Sequence, residues 1–275
     1  MDPGVRLRLP VKTHELPLDR ITAIAQRAGA ATLELYRSQD AWVTEKSDGS
    51  PLTAADMASE RIIQPELHAI DASIPYLSEE SVPATYDERR TWDRFWLVDP
   101  LDGTKEFIKH SGEFTINIAL IEHSQPVIGV IVAPAVGSTY YAAVGRGAWK
   151  QVEGGAPQRL GSHLADPTRP MRIVESVSHP SPELEQFLQP YQVSERLKIG
   201  SSLKFCLLAE GAADVYPRLG PTMEWDVAAG DCIYRCSSAG DPHPSPLVYN
   251  KESLLNDFFV LGLPPDSYHL SGHEN

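Results

Sequence analysis

Apolar residues recur at Ile21, Ile24, Ala28, Ala31 and Leu35, three and four positions apart, so residues 16–36 are expected to form an amphipathic helix. The polar stretch 46–51, Lys-Ser-Asp-Gly-Ser-Pro, reads as a turn. A second helix is expected to open at Thr53 and run through Ile62, Ile63 and Leu67. Thr53 followed three residues later by Asp56 is close to a capping box. The pattern then changes. Residues 94–99, 114–122 and 126–133 read as strands, and 138–145, with a turn at Gly145-Arg146-Gly147, extends them. Segment 114–122 is rich in β-branched residues and apolar on both faces, as in a sheet covered on both sides.

Residues 153–170 are rich in Gly, Pro and polar side chains, which marks a domain boundary and divides the chain into halves 1–160 and 161–275. Strands and helices alternate in the second half: strand 173–177, helix 181–190, a strand end at 198–200, a helix from Ser201 or Ser202 to Glu210, strand 213–217, helix 225–236 and strand 257–261. That alternation predicts an α/β (α+β layered) fold. The tail from Leu263, with two prolines and little apolar content, is expected to be loose.

The chain has 275 residues, enough for a large core, and its 42% hydrophobic and 22% charged content is ordinary for a globular protein. Acids outnumber bases 37 to 24, a formal charge of −13. That balance argues against binding a nucleic-acid polymer, which needs a basic face. It allows a small anionic substrate, because a bound metal and a few local Lys or Arg residues invert the field around a site. Three cysteines, Cys206, Cys232 and Cys236, form no Cys-x-x-Cys pair and read as buried small apolar residues in a reducing compartment. The first fifteen residues hold no apolar signal-peptide core, and no apolar run is long enough to span a membrane. The expected location is the cytoplasm, with a peripheral position at the inner membrane left open.

The densest chemistry lies at residues 97–104, Leu-Val-Asp-Pro-Leu-Asp-Gly-Thr. An apolar strand runs into Asp99, Pro100 is expected to stop the sheet ladder, and Asp102-Gly103 is expected to form a tight turn. Two carboxylates and the Leu101 carbonyl are hard oxygen donors of the kind Mg²⁺ prefers. Two such ions clamp the attacking and leaving oxygens of an in-line phosphoryl displacement, and they require further carboxylates. Glu79 and Asp226 are the candidates. Taken alone, Glu79-Glu80 is a solvated acidic pair, Asp226 is a helix-start acid and Asp102-Gly103 is only a turn.

Asp99-Pro100-Leu101-Asp102-Gly103-Thr104 resembles the signature of the inositol monophosphatase superfamily of Mg²⁺-dependent phosphomonoesterases. The extension Lys105-Glu106-Phe107-Ile108 and the segment Gly112-Glu113-Phe114-Thr115-Ile116-Asn117 are similar to its 3'(2'),5'-bisphosphate nucleotidase branch, and the likeness runs from about residue 18 to about residue 261. The resemblance implies an αβαβα sugar-phosphatase fold with two sheet-containing halves sandwiched by helices. It also implies hydrolysis of adenosine 3',5'-bisphosphate to AMP and phosphate, two or three Mg²⁺ ions per site, inhibition by Li⁺ and a role in sulfur metabolism. It assigns Glu79, Asp99, the Leu101 carbonyl, Asp102 and Asp226 to the metals, and Asp56 and Thr104 to orienting the attacking water. Glu79, Leu101, Asp102, Gly103, Thr104 and Asp226 would also touch the substrate.

Inositol phosphatases carry Thr-Asn where this chain has Lys105-Glu106, so Lys105 is a further candidate for a phosphate contact. Gly200-Ser201-Ser202-Leu203-Lys204 places free backbone N–H groups and a lysine at a helix start, which suits an anion. An ordinary Ser cap with a solvated lysine is the alternative. Arg218, in a Tyr-Pro-Arg run characteristic of the nucleotidase branch, is the candidate for a second phosphate. Ser178-His179 matches a pair in that branch and is placed near the nucleotide. One departure stands out. Between Cys236 and Leu247 the chain reads Ser-Ser-Ala-Gly-Asp-Pro-His-Pro-Ser-Pro, shorter than the family's strand and turn, so the edge of the second sheet is expected to be trimmed or rerouted. The rival readings are an inositol or sugar phosphatase on the same scaffold, and a non-catalytic Mg²⁺- or nucleotide-binding regulator.

Overall fold

The computed structural model describes residues 16–38, 43–45, 51–82, 84–178 and 181–268. The first fifteen residues, most of the expected 46–51 turn, His179 and the tail from residue 269 lie outside them. The elements run α1 (Leu18–Ser38), β1 (Val43–Glu45), β2 (Pro51–Thr53), α2 (Ala54–His68), β3 (Tyr76–Ser78), α3 (Tyr86–Arg89), β4 (Arg94–Asp102), α4 (Thr104–Ile108), β5 (Thr115–Glu122), β6 (Gln125–Ala133), β7 (Ser138–Ala143) and β8 (Gly147–Val152). They continue β9 (Gln158–Arg159), β10 (Met171–Ser176), α5 (Glu183–Leu188), β11 (Val193–Ile199), α6 (Leu203–Ala209), β12 (Tyr216–Arg218), α7 (Glu224–Cys236) and β13 (Phe259–Leu261).

Strands β3 to β9 form one seven-stranded sheet in chain order. Only its first pair, β3–β4, is parallel; the remaining pairs are antiparallel. Strand β5 explains the layering. Its even positions, Ile116, Ile118 and Leu120, pack with Trp96 and Val98 against Ile21, Ile24 and Ala28 of α1 and Ile63 and Leu67 of α2. Its odd positions, Ala119 and Ile121, pack with Phe95 and Leu97 against Phe205, Val227, Ala228 and Cys232 of α6 and α7. Both faces are therefore covered, as the apolar pattern predicts. The approach of α7 is close: a Cβ at Gly129 on β6 would stand 2.4 Å from the Ala229 carbonyl oxygen, so any larger residue there would push the helix off the sheet.

The second half builds a smaller sheet surface. Strands β10 and β11 pair in parallel, β12 and β13 antiparallel, and an Ile173–Val215 bridge joins the two pairs. Val174, Tyr216, Phe259 and Leu261 face α6 and α7. Met171, Ile173 and Val260 face Leu184 and Leu188 of α5 on the outside. The order is helix, sheet, helix, sheet, helix, which is the expected αβαβα layering. The largest core cluster draws residues from both sides of the expected 160/161 boundary.

Three expectations need correction or completion. Pro100 does not end the strand. Strand β4 continues to Asp102 through a register shift, with Asp99 opposite Asn117 and Asp102 opposite Thr115, so one extra residue is accommodated as a bulge. A bulge tolerates proline because it needs no ladder hydrogen bond there. Residues 263–268 are not loose: Leu263 is buried, and the Tyr191 hydroxyl donates to the Ser267 carbonyl at 3.0 Å. Segment 237–246 forms no strand and packs inward. The Ser162 hydroxyl lies 2.6 Å from that of Ser237 and 2.9 Å from His243 Nε2, and the His243 ring stacks on Tyr234 with centroids 4.8 Å apart.

Candidate active site

The bulge sets the geometry of the acidic turn. Residues three apart on a regular strand point to opposite faces. The extra residue instead brings Asp99 and Asp102 opposite Asn117 and Thr115, which share one face of β5. Gly103 follows with φ +88°, and a Cβ there would meet the Glu113 carbonyl oxygen at 2.8 Å, so the turn has room only for glycine. Thr104 then starts α4, and its hydroxyl donates to the Leu101 carbonyl at 3.3 Å. The Leu101 N–H donates to Asp99 Oδ1 at 3.0 Å.

Two other elements deliver carboxylates to Asp99. Glu79 follows β3, held by its N–H to the Val98 carbonyl at 3.2 Å. Asp226 lies in the first turn of α7, where Oδ2 accepts from the Met223 N–H at 2.8 Å. One oxygen from each of Glu79, Asp99 and Asp226 falls within 4.8 Å of the others. At that separation an ionised pair repels by roughly 3 kcal/mol at an effective dielectric near 20. Burial pushes the Asp99 carboxyl well above the usual carboxylate range, and the charges of Glu79, Asp102, Asp226 and Asp56 push it further. Asp226 is raised in the same way, by burial and then by Asp102 and Glu79. An all-oxygen set of acids gathered from three elements at a mutual electrostatic cost fits a hard divalent cation. Glu79, Asp99 and Asp226 could hold one.

The other expected residues are distributed around this cluster. Asp102 lies outside the close group of three, and Ser202 sits beside it. The Ser202 hydroxyl proton is shared between Asp102 Oδ2 at 2.7 Å and the Asp226 carbonyl at 2.9 Å, while Asn117 Nδ2 donates to Ser202 Oγ at 2.7 Å. This serine ties α6 to both acidic segments. Asp56 is buried at the start of α2, and its Oδ2 accepts from the Thr53 N–H at 2.7 Å while Thr53 Oγ1 accepts from the Ala55 N–H at 3.1 Å, which completes the capping box. Asp56 is not among the residues lining the cleft, but its charge reaches Asp99.

A cleft of about 630 Å³ joins the acids to the basic candidates. Glu79, Asp99, Asp102 and Asp226 line it together with Gly103, Thr104, Lys105, Ser202, Lys204 and Arg218. Lys204 is 6% exposed, and its ammonium donates to the Ser201 carbonyl. Burial, opposed by the charge of Asp102, pushes the Lys204 ammonium down to about 8. Arg218, on β12, donates from Nη2 to the Pro221 carbonyl at 2.8 Å. The Ser178 hydroxyl donates to the Glu106 carboxylate, and Glu106, Ser176, Tyr216 and Thr222 line the cleft as well. Sequence reasoning did not assign them. Tyr216 and Glu106 carry usable signals, their places in the Tyr-Pro-Arg run and in the Lys105-Glu106 pair. Among the described residues, no helix is long and apolar enough to cross a membrane.

Both fold and site define a metal-dependent phosphatase architecture, and comparison with known proteins gives it a family. The inositol monophosphatase family model matches residues 17–255, and the chain belongs to that family. The 3'(2'),5'-bisphosphate nucleotidase CysQ of Escherichia coli K12 is 45% identical over 250 residues, covering 90% of this chain and 99% of its own. The protein of the same name from Haemophilus influenzae is 35% identical over 252 residues, covering 90% and 93%. The crystal structure of CysQ from Bacteroides thetaiotaomicron, a bacterial member of the inositol monophosphatase family, superposes with a TM-score of 0.74 at 40% identity, covering 90% of this chain and 96% of that one.

Proposed function

We propose that this chain is a 3'(2'),5'-bisphosphate nucleotidase that hydrolyses adenosine 3',5'-bisphosphate to AMP and phosphate. The observation that carries the reading is one cleft that holds a cluster of three converging carboxylates and also Lys204 and Arg218, in a chain 45% identical to a nucleotidase of that name. In this reading Glu79, Asp99, the Leu101 carbonyl, Asp102 and Asp226 hold Mg²⁺, two or three ions in all. The ions, when bound, supply charge neutralisation at the phosphoryl oxygens and lower the pKa of the attacking water. The Thr104 hydroxyl, which lines the cleft, orients that water, and the Asp56 carboxylate, held by its capping box behind the lining, would receive the proton by way of that hydroxyl. Water adds to phosphorus as the P–O3' bond breaks, and the leaving 3'-oxygen takes up a proton from solvent to become the 3'-hydroxyl of AMP. Gly103 gives the phosphoryl group close access to the backbone, and Lys105 adds charge at its rim. Lys204 and Arg218 take the second phosphate, Arg218 with its forked guanidinium. Ser202 serves from beneath, holding Asp102 in place. We place the enzyme in the cytoplasm, in keeping with three unpaired cysteines.

The test is phosphate release from adenosine 3',5'-bisphosphate and from inositol 1-phosphate, side by side, with Mg²⁺ and then with EDTA. Fast Mg²⁺-dependent release from the nucleotide is expected. A preference for inositol phosphate would overturn the substrate assignment and keep the metal site. Release from neither would overturn the enzyme reading.

A further inference from the structure

Two of the three converging acids sit on chain segments that are far apart in sequence, and a third segment is bonded to both. Arg89 closes α3, ten residues after Glu79, and is 3% exposed. Its Nη1 donates to Asn250 Oδ1 at 3.0 Å and to the Lys251 carbonyl at 3.1 Å, and its Nη2 donates to the Glu252 carbonyl at 3.2 Å. Asn250 answers from Nδ2 to the Arg89 carbonyl at 2.7 Å. On the opposite side lies Glu224, two residues before Asp226 and fully buried. Its carboxylate accepts from the N–H of Asn250 at 2.7 Å, from the N–H of Lys251 at 3.0 Å and from Lys251 Nζ at 2.8 Å. The Glu224 N–H in turn donates to the Leu254 carbonyl at 2.9 Å. Asn250 reaches this double bonding with φ +68°, a left-handed backbone that a non-glycine residue adopts only at a cost.

We propose that Arg89, Asn250 and Glu224 form a positioning clasp that sets the separation of Glu79 and Asp226, and so tunes the affinity of the cleft for its metal. The inference rests on the metal-dependent reading of the site. A buried arginine with two nitrogens committed to one short loop and its Nε held by the Ala84 carbonyl at 3.1 Å, and a buried carboxylate closing the other side of the same loop, tie the segments after Glu79 and before Asp226 to each other. Nothing in the clasp touches the cleft. Its effect therefore reaches the reaction through the geometry of the acids, as the outer partners of metal ligands do in general.

Three variants separate positioning from plain stability. Arg89→Met removes the arginine's bonds to the loop outright, and Glu224→Gln turns an amide NH2 toward backbone N–H donors. Asn250→Gly is the gentlest: it suits the left-handed backbone, keeps the N–H bond to Glu224 and deletes only the side-chain bonds to Arg89. Equilibrium binding of Mn²⁺ to the substrate-free protein, followed by electron paramagnetic resonance, is expected to weaken by about tenfold in Asn250→Gly and by more in the other two. The half-saturating Mg²⁺ concentration for phosphate release should rise by the same factor. The KM for adenosine 3',5'-bisphosphate at saturating Mg²⁺ should change less than about twofold, and the Tm of Asn250→Gly in EDTA should stay near that of wild type. Wild-type Mn²⁺ affinity in folded Asn250→Gly and Glu224→Gln would overturn the clasp. So would a wild-type protein that binds no Mn²⁺. A wild type that binds Mn²⁺ but does not hydrolyse the nucleotide would refute the proposed activity alone, leaving the clasp to be judged by the binding data.

Discussion

Two acids of helix α7, Asp226 and Asp231, lie five residues apart and live in opposite surroundings. Asp231 is fully buried and paired: Oδ2 accepts from Arg235 Nε at 2.9 Å and from the Tyr249 hydroxyl at 2.9 Å. Burial raises its pKa, and Arg235 and Tyr249 pull it back. Asp226 is raised by burial too, but its neighbours Asp102 and Glu79 push in the same direction. One helix thus shows both ways of treating a buried charge. Where the chain supplies the counter-charge, the acid is architecture. Where it gathers more acids instead, the missing charge must come from a ligand, and the protein alone bears the repulsion.

The largest expected effect comes from removing a charge on the acid-rich side. Asp99→Asn keeps an oxygen for the Leu101 N–H and takes away one of the three converging charges. Phosphate release should fall by more than about a hundredfold, since even outer partners of metal ligands cost 10–100-fold. In EDTA the same variant should be more stable than wild type by about 1–2 kcal/mol, a rise in Tm of about 5 °C, because like-charge repulsion is relieved. Thermal melts with and without metal, beside activity, check both arms. A metal-free variant that melts earlier than wild type would mean the cluster is not strained.

The paired side should respond with the opposite sign. Asp231→Asn leaves Arg235 without its charged partner at a position where the arginine side chain is 16% exposed. Loss of stability by about 2 kcal/mol is expected, close to a thirtyfold change in the folding equilibrium. It should be the same with and without metal, and activity well below the melting temperature should stay within a few-fold of wild type. Chemical denaturation at fixed metal concentration measures it. If Asp231→Asn lost stability only when metal is present, Asp231 would belong to the same electrostatic unit as Asp226 and the contrast would collapse.

That contrast was not legible in the sequence, and the reason is physical. Local signals were readable wherever the chain bonds to itself within a few residues. The three- and four-residue spacing of Ile21, Ile24 and Ala28 marked α1, Thr53 and Asp56 marked the start of α2, and the two-sided apolar pattern of 114–122 marked β5 as a covered strand. The Asp99-to-Thr104 string marked the site. The bulge at Pro100 escaped because proline's usual effect on a ladder is to end it, and only the pairing of Asp102 with Thr115 shows that the ladder resumes. Elements β3, α3 and α4 hold too few residues to display a period. Asp226 and Asp231 look alike as helix acids. What separates them is Tyr249 on one side and Glu79 and Asp102 on the other. Likewise Ser202 meets Asp102 across a hundred residues of sequence, and Arg89 meets Asn250 across 161.

Lys204 sharpens the comparison from the cationic side, with the smallest expected effect. It is a buried charge in the acid-lined cleft, and its pKa is lowered to about 8 by burial, while Asp102, Glu106 and Asp226 resist and Arg218 assists. Below about pH 8 the ammonium is charged and, on the proposed reading, holds the second phosphate; above it the charge is lost. The apparent kcat/KM for adenosine 3',5'-bisphosphate reports the free enzyme, so it should be level below about pH 8 and fall on the alkaline side. A single charge-assisted hydrogen bond is worth about 1.5–3 kcal/mol, so the fall should reach about tenfold or more once the lysine is neutral. Lys204→Arg keeps its charge across this range and should abolish the inflection. Lys204→Met should show the reduced value at every pH. An alkaline fall that survives unchanged in Lys204→Arg would assign the titration elsewhere. The two arms of the cleft then differ in kind: the acids, whose pKa values burial and mutual charge raise, call for a counter-ion when they ionise, while the lysine lends its charge only while it stays protonated.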